Sequence, residues 1–235
     1  MAENVQATWV ATMNDEKVYR KTNARLFESG FFEAFSKVHP AIPAVIFVPA
    51  LAYFVWNAFV ASWMFALPLV ALGVLFWSLT EYVLHRWYFH MDQSNAVKRF
   101  LYFYSHGMHH AYPDDYYRLV MVPIVSLPLA ALFYGLYSAV FPAWMVPGIF
   151  AGMLVGYLNY DYVHFATHHV KPPRSKLLAP VAHIMKVQRE RHMRHHFETH
   201  DVGYGVSTVL WDVVFGTTQQ KKTKKEPSQA SAAQH

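Results

Sequence analysis

The 235-residue sequence contains no cysteine, which excludes disulfides, iron–sulfur clusters and thiolate zinc sites. Charge is scarce too: Asp, Glu, Lys and Arg make up 15% of the chain, against 54% hydrophobic residues. No lysine or arginine occurs from Val38 to His85 or from Leu119 to Val170. The first forty residues lack the basic start and cleavage site of a secretory signal. Nor does any glutamate have a histidine three residues on, which excludes the Glu-x-x-His pairs of soluble ferritin-like di-iron bundles.

What is present in place of charge is a set of long apolar runs, at 41–60, 63–84, 121–141 and 144–163. Each is near the roughly 20 residues that cross a bilayer core. Short turns around Asn57–Ser62 and Phe141–Trp144 join them pairwise, and their prolines are tolerated in membrane helices. The expected fold is an all-α integral membrane protein with four transmembrane helices in two hairpins, topped by a cytoplasmic histidine-rich helical cap holding a di-metal site. All twenty basic residues lie before, between or after the two hairpins, so the positive-inside rule puts both termini and the connecting segments in the cytoplasm. The chain divides into an N-terminal cytoplasmic or interfacial segment (1–40), a membrane domain (41–218) and a disordered basic tail (219–235). Phe27 to Phe35 reads equally as an interfacial helix or a solvated one. The pI near 9.3 follows from the basic stretches and carries no argument for nucleic acid.

Eleven of the fifteen histidines fall in four groups: H-R-W-Y-F-H (85–90), H-G-M-H-H (106–110), H-F-A-T-H-H (164–169) and H-M-R-H-H (192–196). Imidazole binds zinc, iron and copper as the neutral base available near pH 7, so four such groups on one side of the spans ask for metal. Helical spacing lets His106, His109 and His110 converge on one point, as it does His192, His195 and His196, and it stacks His164 on His168. His85 and His90, about 140° apart on an ideal helix, should reach different metals or straddle a helix end. Ten ligands exceed what one ion takes, so two metals with about five histidines each is the arithmetic. Glu81 and Asp161 stand one turn before His85 and His164 in otherwise uncharged stretches, and the expected role of each is to accept the second ring proton of a ligating imidazole.

From Glu81 to Gly216 the chain resembles the fatty acid hydroxylase superfamily of histidine-rich membrane di-metal oxidases. The resemblance rests on E-Y-V-L-H-R-W-Y-F-H, Y-D-Y-V-H-F-A-T-H, H-M-R-H-H-F and G-Y-G-V-S-T-V-L-W-D-V-V-F-G-T. A further block, H-G-M-H-H-A-Y-P-D-D-Y-Y-R-L-V, is similar to the acyl 2-hydroxylase branch. Carried over position by position, the resemblance implies His85, His90, His106, His109, His110, His164, His168, His192, His195 and His196 as ligands, with His169, His183 and His200 outside the pattern. It implies two iron ions, with zinc able to replace them in purified protein, and hydroxylation of carbon 2 of a fatty acyl chain with dioxygen and two electrons. Trp77, Trp87, Tyr88 and Tyr104 are candidate lining for the acyl tail. The stretch before the first span lacks the cytochrome b5 domain that many relatives carry, which implies a separate electron carrier, cytochrome b5-like or ferredoxin, and Lys186–Arg194 offers it or lipid headgroups a basic face. Other readings keep part of this: a sterol or carotenoid oxidase of the same superfamily, a metal transporter, which would thread ligands across the bilayer, or a zinc hydrolase, which needs one ion.

Overall fold

The computed structural model describes residues 25–220, and every regular element among them is helical. The basic tail from 221 onward, and residues 1–24 of the N-terminal segment, lie outside the described residues. In chain order the α-helices are α1 (Gly30–Phe35), α2 (Ile42–Val83), α3 (Ala96–Tyr102), α4 (Met108–Ala111), α5 (Pro123–Val140), α6 (Val146–His169), α7 (Ala179–Phe197) and α8 (Leu210–Val214). Two helical stretches, Ile42–Phe89 and Tyr116–Val140, are long and apolar enough to cross a membrane.

The 42 residues of α2 are not one rod. Ser62 is extended (φ −167°, ψ 97°), and the two arms beside it, 42–61 and 63–83, pack on the same helix. Phe47 and Trp77 both contact the ring of Tyr157, at centroid distances of 5.0 and 5.4 Å. Thirty residues of straight helix span about 45 Å, so the chain must reverse at Ser62 for both rings to meet one tyrosine. The reversal falls at the end of the turn expected from the sequence. The second hairpin is equally clear: Tyr134 of α5 meets Phe150 of α6, and the Met121 amide meets Asp161. Antiparallel pairing brings the end of α2, the start of α5 and the end of α6 to one level, where the histidines are.

α6 is the inner helix, with fifteen buried residues, including Gly148, Gly152 and Gly156 at four-residue spacing. The spacing puts a smooth stripe against the second arm of α2, the device by which membrane helices approach closely. A Cβ on Gly73 would lie 1.9 Å from the Ile149 carbonyl oxygen, and one on Gly152 would lie 2.0 Å from that of Val70. Both obstacles are backbone, so the two helices would have to separate.

The segment before the first arm is tied to the connection between the hairpins. Arg118 donates to Glu33 (2.7 Å) and Ser36 (3.0 Å) and also pairs with Asp115, and the Val38 amide donates to the Tyr117 carbonyl. The Asp115 and Arg118 of the P-D-D-Y-Y-R block therefore act structurally here. On α1, Phe31, Phe32 and Phe35 remain exposed.

Replacing Gly152 with valine is expected to destabilise the α2–α6 contact by about 1–3 kcal/mol, the usual cost of overpacking. The check is a lowered melting temperature of the purified protein in detergent, with a matching change at the exposed Gly135 leaving it within error.

Candidate metal centre

The local backbone at the membrane end departs from α-geometry at two of the four histidine groups. Leu84–Phe89 and Phe103–Gly107 are π-helical turns. The wider turn matters for His85 and His90: the His90 amide donates to the His85 carbonyl, closing a five-residue turn that returns both side chains to one side. Of the two expectations for this pair, the helix end is borne out, since the π-turn stops at Phe89 and His90 follows it, whereas separate groups are corrected, because the π-turn brings both rings into one.

The ten histidines form two groups. His85, His90, His106, His110 and His195 make one, and His109, His164, His168, His192 and His196 the other; within each group one ring nitrogen per residue lies within 4.8 Å of all the others. The sequence spacing had His106, His109 and His110 converging together, and likewise His192, His195 and His196. The structure splits both triples. The i, i+4 pairs 106/110 and 192/196 each stay together, whereas His109 and His195, rotated off that line on their helices, turn to the opposite group. α4 and α7 therefore supply both groups, and the groups adjoin: the rings of His110 and His196 stack at 4.2 Å.

Nitrogen faces nitrogen throughout. The Nε2–Nε2 distances are 3.2 Å for His85–His106, 2.9 Å for His106–His110, His90–His195, His109–His164 and His168–His192, and 3.0 Å for His192–His196. A metal–imidazole bond of about 2.1 Å puts ligands at right angles about 3 Å apart. Five nitrogens with such edges fit one cation each with a position to spare, so the donor set suits a metal. Burial, reinforced by the neighbouring imidazoles, holds His106, His109, His110, His192 and His196 well below the usual histidine range. The same burial takes His90 down to about 3 and His195 to about 4. All are neutral near pH 7, with lone pairs free to bind.

Orientation comes from a loop that the histidine pattern did not reveal. His85 Nδ1 bonds the Tyr204 carbonyl and His195 Nδ1 that of Val202, at 3.0 Å. Fully buried Asp212 shapes this loop, accepting from the amides of Tyr204 and Gly205 (both 2.9 Å) and the hydroxyl of Thr217 (2.8 Å). Glu81 holds its far side, accepting from the amides of Val206 (2.8 Å) and Ser207 (2.7 Å). The expectation that Glu81 receives an imidazole proton is therefore corrected: it acts one bond further out, through the loop, because the loop amides reach its carboxylate. Asp161 is likewise engaged by the Met121 amide at 3.3 Å, fixing the start of α5. The G-Y-G…W-D motif was the available signal for Asp212, since a lone acid in an apolar stretch needs a structural partner.

The other sequence candidates fall outside the groups. His169 packs on Phe165 and Tyr116, His183 is exposed, and His200 lies 5.6 Å from the His110 ring without joining its group. Of the four aromatic candidates, only Trp77 lines an apolar crevice, with Met121, Leu129, Met153 and Tyr157 between α2, α5 and α6. Trp87 is exposed beneath the Arg86 guanidinium, Tyr88 is exposed, and Tyr104 stacks on Phe27.

A family model for the fatty acid hydroxylases matches residues 70–217, a stretch that contains all ten grouped histidines. The chain belongs to the fatty acid hydroxylase family. This hydroxylase is 32% identical over 214 residues to a protein of Arabidopsis thaliana named dihydroceramide fatty acyl 2-hydroxylase, covering 90% of the chain and 86% of that protein. It is 36% identical over 213 residues to the Saccharomyces cerevisiae ceramide very long chain fatty acid hydroxylase, covering 89% of the chain but 53% of the yeast protein. Among solved structures, full-length Scs7p, of which only the hydroxylase domain is visible, superposes with a TM-score of 0.77 at 36% identity, over 85% of this chain and 74% of that one. Family membership makes the protein an oxygen-dependent oxidoreductase and puts its apolar helices in a membrane.

Asp212→Ala is expected to weaken metal binding by about 10–100-fold, the usual cost of removing a group that orients ligands. Competition with a chelator measures this, and circular dichroism checks that the helices persist.

Proposed function

We propose that this chain is a membrane monooxygenase that hydroxylates carbon 2 of fatty acyl chains, free, coenzyme A-linked or sphingolipid-bound, with one iron ion in each histidine group. The observation that carries the reading is the pair of adjoining five-histidine groups at the end of membrane-length helices, in a chain whose relatives are named acyl 2-hydroxylases. Bound by the ten histidines, an iron pair would supply the oxidising chemistry at carbon 2, using dioxygen and two electrons. The protein's part is placement. Ten neutral imidazoles hold the ions, and the 202–206 loop fixes the rings of His85 and His195. An acyl tail would run between α2, α5 and α6 past Trp77, Leu129 and Met153, whose side chains meet closely there, two turns or more from His164. A head held near the membrane surface then presents carbons close to the carbonyl.

All four helical arms, including the buried α6, cross the bilayer, with both termini and the metal centre cytoplasmic. The lysine- and arginine-free stretches support this topology. Electrons come from a separate carrier of the cytochrome b5 or ferredoxin kind. The arginines toward the end of the proposed basic face are partly engaged within the fold, Arg194 with Glu190 at 2.7 Å and Arg191 with Asp212 at 3.9 Å. That leaves Lys186 and Arg189 as its open part.

Three outcomes test the reading. Purified protein loaded with iron should contain two metals per chain, with occupancy falling in His109→Ala and His195→Ala; elemental analysis that returns one metal sinks the two-ion arrangement. Expressed in a host without 2-hydroxylated lipids, the chain should yield 2-hydroxy fatty acids after hydrolysis, and none with His110→Ala. Acyl chains left unchanged beside an oxidised sterol or carotenoid would reassign the substrate. Protease added to sealed vesicles should cleave the C-terminal tail only when the cytoplasmic face is outward.

A further inference from the structure

α7 has two different halves. Its C-terminal half carries His192, His195 and His196 into the metal centre, whereas in the half before them only Ala182 is buried. Thirteen residues separate Ala179 from His192, so the helix start projects about 20 Å from the nearest ligand. Along it, and in the single turn Lys176–Leu178 before it, run Leu177 (88% exposed), Val181 (48%) and Ile184 (56%). Their i, i+4, i+7 spacing makes one apolar stripe, and nothing among the described residues covers it.

The opposite face is basic. Ala179, Ala182, His183 and Lys186 of α7 line an open groove with Lys171, Arg174 and Lys176, and none of the stripe residues enters it. From 162 to 189 the chain has five lysines and arginines and no acid at all. A turn and helix start with leucine, valine and isoleucine on one face and a groove of Lys171, Arg174, Lys176 and Lys186 on the other suit the plane of a membrane interface. The chain leaves α6 at His169, six residues or about 9 Å of helix beyond the last residue expected in the bilayer, so this segment starts at headgroup level. The helix is about 10 Å thick, comparable to the screening length near 0.1 M salt, so basic groups on its upper face still feel anionic headgroups below.

We propose that the first half of α7, with the turn before it, lies flat on the cytoplasmic leaflet, Leu177, Val181 and Ile184 among the acyl chains, held there by attraction of the basic groove to anionic phospholipid. The inference rests on the membrane reading above. It gives the metal centre a second anchor, which fixes the height of the ligand-bearing half of α7 above the bilayer.

The absence of cysteine allows single-site labelling of the full chain. Ile184→Cys and His183→Cys, carrying a nitroxide, are reconstituted into phosphatidylcholine vesicles with or without phosphatidylglycerol. In the anionic vesicles the Ile184 label should collide with oxygen and be shielded from a water-soluble nickel chelate, while the His183 label shows the converse. Changing Lys171, Arg174, Lys176 and Lys186 together to glutamine should abolish the dependence of Ile184 shielding on phosphatidylglycerol. An Ile184 label as open to nickel as the His183 label overturns the proposal. So does shielding that is indifferent to lipid charge, or that appears only when an acidic soluble protein is added. The readout is a depth, independent of what the enzyme oxidises, so its failure leaves the 2-hydroxylase reading standing and a failed product profile leaves the anchor standing.

Discussion

Ten uncharged ring nitrogens packed 2.9–3.2 Å apart in two groups, with no carboxylate among them, are the constraint on which the rest of this molecule turns. Two imidazole nitrogens that face each other can share one proton, but five converging lone pairs are satisfied only by a cation. Such a cluster costs stability unless the surrounding protein holds the rings in place. The structure meets that need with backbone: carbonyls of Val202 and Tyr204 fix the outer nitrogens of His195 and His85, and the buried Asp212 and Glu81 carboxylates fix the loop that carries those carbonyls. Carboxylates set one step back orient the site without adding negative charge to it.

The same requirement explains the helical scaffold. The grouped histidines come from the π-turn after α2, the connection through α4, the end of α6 and the second half of α7, which are far apart in sequence. They meet at one level because α2 doubles back at Ser62 and because glycines let α6 sit against its second arm with backbone in contact. A small loss of that contact would move His164 and His168 relative to His85 and His90. Close helix packing and ligand geometry are therefore one problem, and the Arg118–Glu33–Asp115 cluster closes it from the N-terminal side.

The conserved chemistry of a family and the geometry of one chain carry different information. The family assignment says what kind of reaction the histidines serve, and it extends over the whole matched stretch. Which histidines stand together, and what aims them, is visible only in the fold. The divided character of α7, with one half carrying grouped histidines and the other largely exposed among the described residues, is likewise a property of this chain's packing.

The sequence by itself determined a good deal here. Long uncharged apolar runs and four histidine groups were readable without coordinates, because hydropathy and residue type act locally, and so were the two reversals, near Ser62 and Phe141. The division of the ten histidines into five and five was countable, since no single ion accepts ten. Tertiary structure alone decided the membership of each five. A straight α-helix puts His85 and His90 on different faces, and only the π-turn, stabilised by the surrounding fold, brings them together. Helical spacing groups His109 with His106 and His110, yet the second cluster across from α4 draws it away. Glu81 was read correctly as a buried acid with a partner and incorrectly as an imidazole's partner, because the amides of Val206 and Ser207 are 125 residues or more distant in the chain. Contacts of that separation leave no trace in local pattern; they exist only once the hairpins have closed and the loop has folded back.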